Sequence, residues 1–167
     1  MTNVPITGLP DGWHEVSGLA YDANADRVLI TIRQTGTNVE SHLAEVDVNG
    51  KVGRISNPRL GDRDSIAWDR RTSRLLAVDF NGIPPRVATV DSLFNNPATK
   101  RLANPPMHRL LFDVTVSPES GRMYSVHSRT NELVKVNALT SQFQTVGRFN
   151  SPQRIVGITT VPLSHLP

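Results

Sequence analysis

Gly18-Leu19-Ala20-Tyr21-Asp22, followed four residues later by Arg27-Val28-Leu29, decides the fold because the chain repeats it. The second copy is Ser65-Ile66-Ala67-Trp68-Asp69 with Arg74-Leu75-Leu76. The third is Asp113-Val114-Thr115-Val116-Ser117 with Arg122-Met123-Tyr124, and Gly157-Ile158-Thr159-Thr160-Val161 is a partial fourth. Arg27, Arg74 and Arg122 lie 47 and 48 positions apart. A period of this length means one supersecondary unit per repeat, stacked on its neighbours to bury a shared core.

Within each copy small and large residues alternate. Gly18 and Ala20, Ser65 and Ala67, Asp113 and Thr115 form the small set. Leu19 and Tyr21, Ile66 and Trp68, Val114 and Val116 form the large set. A period of two is a strand with unlike faces, and small side chains on one face suit an inner strand near a crowded axis. Turn residues follow at Asn24, Thr72-Ser73 and Pro118-Glu119-Ser120-Gly121, where local side-chain bonding and positive φ are useful.

Outward from these turns each repeat supplies three more strands. Second strands read as 27–33, 74–80 and 122–128, third strands as 42–48, 86–90 and 133–137, and fourth strands as 51–55, 99–103 and 143–148. Pro-containing connections follow at Asn57-Pro58, Asn104-Pro105-Pro106 and Ser151-Pro152. Val4-Pro5-Ile6-Thr7-Gly8 reads as a further fourth-type strand, and Asp91 to Asn96 as one helical turn. The expectation is an all-β chain of three four-stranded antiparallel units plus terminal strands. It forms one domain over 1–167, with units at 15–57, 62–105 and 110–151 and terminal strands at 4–8 and 155–161.

The inner-strand pattern Gly18-Leu19-Ala20-Tyr21-Asp22 with Arg27-Val28-Leu29, and its copies, resembles the NHL, YVTN and gluconolactonase-like β-propellers. The resemblance implies propeller blades over residues 13 to 161. It speaks to architecture and hardly at all to function. Trp68-Asp69 lies in an inner strand, the wrong position for the Trp-Asp signature of WD40 repeats.

Propellers usually have four or more blades. Three blades alone leave two free sides, each expected to expose an apolar face, and buried apolar area contributes roughly 25 cal/mol per Å². The expected solution is a homodimer or higher oligomer, most simply a two-fold dimer that closes six blades. The terminal strands are then free to pair across subunits.

Composition sets bounds. Among 167 residues 38% are hydrophobic and 20% charged, an ordinary globular balance. There is no cysteine, so disulfides, thiolate metal sites and a Cys nucleophile are excluded. Net charge is +3, from fifteen Arg and three Lys against fifteen acids. The densest group, Arg59, Arg63, Arg70, Arg71 and Arg74, is interleaved with Asp62, Asp64 and Asp69. That is a mixed surface rather than a single-signed nucleic-acid footprint. No apolar run approaches the roughly 18 residues of a membrane helix, and residues 1–10 lack a signal-peptide pattern. A cytoplasmic or virion-associated protein is the most compatible expectation.

The gluconolactonase-like resemblance implies a divalent cation such as Ca²⁺ at the axis. Glu15, Asp64 and Asp113 are the candidate oxygen ligands. The alternative is that these carboxylates are solvated or pair with Arg63 and Arg109. A hard cation requires several oxygens converging on one point, and no clear set from other blades is visible in the sequence. Trp13 with His14, in a loop beside Pro10, Asp11 and Gly12, and His108 in the equivalent connection of the third unit, are the candidate binding surface. No HExxH, GxSxG, GxGxxG or P-loop spacing occurs. The leading expectation is a non-enzymatic binding or assembly module without a cofactor, including a component of a symmetric particle such as a phage virion. A metal-dependent lactonase and a carbohydrate-binding propeller are the alternatives.

Overall fold

A computed structural model describes residues 4–34, 41–56, 65–79, 86–91, 93–94, 98–103, 111–127, 129–137, 142–153, 155 and 158–159. At several strand positions, His14 among them, it describes the backbone alone. The strands fall into three antiparallel sheets, each in simple sequence order. Sheet 1 holds β1 (Trp13–Asp22), β2 (Arg27–Gln34), β3 (His42–Val46) and β4 (Val52–Ile55). Sheet 2 holds β5 (Ser65–Asp69), β6 (Arg74–Asp79), β7 (Arg86–Asp91) and β8 (Ala98–Ala103). Sheet 3 holds β9 (Leu111–Val116), β10 (Met123–His127), β11 (Glu132–Asn137) and β12 (Gln142–Arg148).

The first hairpin of each sheet is built the same way. Asp22 pairs with Arg27, Asp69 with Arg74 and Val116 with Met123 across the ladder. The side chain ending each inner strand then organises the turn. Asp22 Oδ1 accepts the amides of Asn24 and Ala25, Asp69 Oδ1 accepts that of Arg71, and Ser117 Oγ accepts that of Ser120. This is the local bonding for which Asp and Ser favour turns. Each loop closes on a left-handed residue just before the repeating arginine: Asp26 (φ 48°), Ser73 (φ 53°) and Gly121 (φ 64°).

Packing follows from which faces find a neighbour. Ala20, Leu29 and Leu43 of sheet 1 meet Ile66, Leu75, Ala77 and Val90 of sheet 2, with Trp68 against them. The other face of sheet 2, with Ala67, Leu76 and Val78, meets Val114, Val116, Met123 and Val136 of sheet 3. Sheet 2 is therefore covered on both sides. That is why Leu75-Leu76-Ala77-Val78 reads as an unbroken apolar run rather than an alternation.

Several expectations need correction. Residues 4–8 do not form a strand. Thr7 makes one parallel bridge to Lys51, with Thr7 N donating to Gly50 O and Val52 N to Thr7 O. Pro5, two residues before, has no N–H to extend the ladder. The arm is paired with its own chain through this bridge. It also carries Leu9 and Trp13 onto the free face of sheet 1, where Ile30, Ile32, Ala44, Val46 and Val52 are buried. The two free sides are thus not equally apolar: the arm caps one, and the far face of sheet 3 carries half-buried Thr115, Tyr124 and Lys135.

Trp13 begins β1 rather than lying in a loop, with register shifts between Trp13 and Glu15 and between Val16 and Gly18. Asp91 ends β7 and Leu93-Phe94 form a turn, while residues 92 and 95–96 of the expected helical turn lie outside the described residues. Phe94 packs beneath the guanidinium groups of Arg27 and Arg54, 5.5 and 4.7 Å from its centroid.

The tightest approach is at Gly18. A Cβ there would lie 2.9 Å from Thr31 Oγ1, 3.0 Å from Ile66 N and 3.1 Å from Ser65 Cα. Backbone on the neighbouring sheet cannot retreat without moving that sheet. Gly18→Ala is expected to lower unfolding free energy by about 1–3 kcal/mol, measured by urea denaturation. An unchanged midpoint and slope would contradict the close approach.

Candidate functional site: the inner-strand groove

β1, β5 and β9 lie side by side as the innermost strands of the three sheets. Their first small positions, Gly18, Ser65 and Asp113, carry a repeating link. Ser65 Oγ accepts the amide of Val114 (3.0 Å) and donates to Asp113 Oδ1 (2.7 Å). Asp113 Oδ2 in turn accepts the amide of Ile158 (3.1 Å). Ile158 occupies the repeat position of Ile66 and Val114, so its amide stands to Asp113 as that of Val114 stands to Ser65. The partial fourth copy in the sequence therefore continues the inner row by at least this contact. Asp113 has φ 50°, a left-handed conformation that Asp tolerates better than most residues. Its backbone oxygen accepts Ser125 Oγ at 2.7 Å.

The opposite rim carries the first-hairpin turns, also linked from sheet to sheet. Asn24 Nδ2 donates to Ser73 Oγ (2.7 Å), and the Arg71 guanidinium donates to Ser120 O (2.6 Å). Between the rims runs a groove of about 420 Å³. Leu19, Tyr21 and Trp68 give it apolar and aromatic walls, with Asp113 and Ile158 at one end and Arg70 at the other. β5 spans that length, about 16 Å at roughly 3.3 Å per residue. The indole Nε1 of Trp68 is buried with no hydrogen-bond partner among the described residues.

Tyr21 lies at the Arg70 end, donating its hydroxyl to Asp26 Oδ1 at 2.6 Å. That bond, with smaller contributions from desolvation and the negative charges of Asp26 and Asp22, holds the phenol above its ordinary 10.0. The Arg70 charge pulls the other way.

The fold is propeller-like. Luciferin-regenerating enzyme superposes with a TM-score of 0.55 and 12% identity, over 78% of this chain and 45% of that one. The nidogen/laminin complex superposes with 0.53 and 15%, over 87% and 68%. Both of these neighbours have β-propeller folds. A protein of unknown function from Bacteroides caccae gives 0.52 and 14%, over 87% and 50%. The chain thus spans about half the length of luciferin-regenerating enzyme and of the Bacteroides protein. No protein-family model and no curated protein matches the sequence.

Of the candidate ligand and binding residues that the structure describes, Asp113 alone lines the groove. Both of its carboxylate oxygens accept protein donors. Glu15 is exposed on β1, opposite Arg33. Asp64 and His108 lie outside the described residues, as does the side chain of His14. Among the described residues no three His, Asp or Glu side chains converge as metal ligands. The Trp13 ring is half-buried against the sheet 1 core and stacks edge-on to His42, centroids 4.4 Å apart at 73°. It is packing for the arm more than an open platform.

The groove residues that sequence reasoning passed over are Leu19, Tyr21 and Arg70. The first two read as core by repeat position, and Arg70 as one member of a mixed surface.

Two outcomes follow from this geometry. Asp113→Ala removes the acceptor for Ile158, so amide exchange at Ile158 should accelerate while Asp113→Asn retains part of the protection; equal exchange in all three proteins would contradict the link. In an ultraviolet alkaline titration Tyr21 should ionise above its ordinary value, and Asp26→Asn should bring it down toward that value. A midpoint unmoved by Asp26→Asn would show that the bond does not hold.

Proposed function

We infer that the chain is a non-enzymatic assembly and binding module, a partial propeller whose first inner strand is built to be covered by a sheet from a second copy. One observation carries this reading. Leu19 and Tyr21 are 65% and 52% exposed, whereas Ile66, Val114 and Val116 at the same repeat positions are 0%, 4% and 7% exposed. In sheets 2 and 3 the preceding sheet covers these positions; in sheet 1 the arm covers the outer strands and leaves this strip open. Val16, 40% exposed, extends it.

A catalytic reading has less support. The carboxylate in the groove, Asp113, is spent on holding the inner row together, which favours binding over hydrolysis. In a six-sheet ring of two copies, the second copy's Leu19 would sit beside sheet 3 where Ile158 now sits. Closure of that ring therefore involves displacement of the terminal segment.

Sedimentation velocity tests the reading. The wild-type chain should sediment as two copies, and Leu19→Ser with Tyr21→Ser should weaken association at least tenfold. Full burial of each side chain is worth about 1.5–3 kcal/mol. A wild-type chain that stays single across the accessible concentration range would overturn it.

A further inference from the structure

The groove has a second use that does not rest on assembly, because all of its described walls belong to one chain. We propose that it binds a small organic carboxylate with a flat apolar body, the anion held by Arg70 and the body laid against Leu19 and Trp68. Arg70 is exposed at the groove's mouth, and no described carboxylate lies within ion-pairing distance of it; the ion pairs among the described residues both belong to Arg27.

The acids on the same rim have other partners. Asp69 bonds the Arg71 amide and the Thr72 hydroxyl, Asp26 accepts from Tyr21, and Asp22 pairs with Arg27. Asp113 lies at the far end, about 16 Å away by strand rise. That exceeds the Debye length of about 8 Å at physiological salt, so its repulsion of an anion at Arg70 is largely screened. Among the described residues Arg70 is therefore a guanidinium without a carboxylate, and its planar fork matches a carboxylate in two parallel hydrogen bonds.

The remainder of the cleft fits the other half of such a molecule. About 420 Å³ falls within the roughly 300–1,000 Å³ of small-molecule sites, which combine mainly apolar walls with a few polar anchors. Charge at one end and apolar or aromatic walls along the rest select a molecule that is anionic at one end and greasy along its body. A neutral apolar molecule would leave Arg70 without its partner. A polyanion would have no use for the walls.

Isothermal titration calorimetry with naphthalene carboxylate and its uncharged isostere, naphthalene carboxamide, separates these cases. The carboxylate should bind the wild-type protein in the millimolar range or tighter. Arg70→Gln should weaken it about tenfold or more, the loss expected for a charged hydrogen bond. Arg70→Lys should recover part of the affinity, and Arg122→Gln, an exposed arginine outside the groove, should change nothing. The carboxamide should bind more weakly than the carboxylate and should not distinguish wild type from Arg70→Gln. No heat with the carboxylate into the millimolar range, or equal affinity in wild type and Arg70→Gln, would overturn the proposal. The copy number of the same samples, read by sedimentation, bears on assembly alone, so either reading can fail without the other.

Discussion

The inner strands of this protein can run side by side only because almost nothing stands between them. Gly18 supplies no side chain where Ser65 and Ile66 of the next sheet press in. Ser65 supplies one hydroxyl, which both donates and accepts across the following gap. Asp113 supplies a carboxylate that reaches back to Ser65 and forward to Ile158. Small or hydrogen-bonding residues at these positions let the backbones converge. The larger residues beside them, Ile66, Val114 and Val116, then reach the faces of the preceding sheets. The stacking of the sheets, and the groove along their inner margin, depend on this convergence.

Much of this architecture could be read from the residues. A 47-to-48-residue period with alternating small and large positions specifies an inner strand, and Asp, Ser and Gly at fixed offsets specify its turn. The same offsets reappear as the left-handed Asp26, Ser73 and Gly121. What escaped the sequence was the treatment of the ends. Alternation records which residues share a face, but not whether a neighbour exists to cover that face. Leu19 and Tyr21 therefore read as core although they are exposed. The arm was misread for a related reason: Val4-Pro5-Ile6-Thr7 has strand-like composition, yet Pro5 leaves the segment one short parallel bridge. Its Leu9 and Trp13 act as a lid on sheet 1, a tertiary role that no local pattern encodes.

The candidate site shows the same division. Asp113 could be found because it puts a carboxylate at the aligned small position of Gly18 and Ser65, but its use could not. A carboxylate at an inner-strand entry suits a cation or a neighbouring amide equally well in sequence; in the structure Asp113 accepts the Ile158 amide and the Ser65 hydroxyl. Arg70 was hidden by its company, since a run of alternating charges reads as solvated surface. Only the placement of its neighbours shows that Asp22, Asp26 and Asp69 are engaged elsewhere. The propeller-like neighbours extend to fold alone, at 12% to 15% identity. Chemistry specific to this chain therefore has to be argued from such local pairings.

The contact on which the molecule turns can be observed directly. In an isotope-labelled sample with assigned amides, the α-protons of Gly18 should show strong nuclear Overhauser contacts to the amide of Ile66 and to Ser65, because the position of an added Cβ lies 3.0 Å from Ile66 N. Finding those contacts would place the first two inner strands against each other. An assigned spectrum in which Gly18 shows contacts only within sheet 1 would mean that the sheets do not converge on a common inner row.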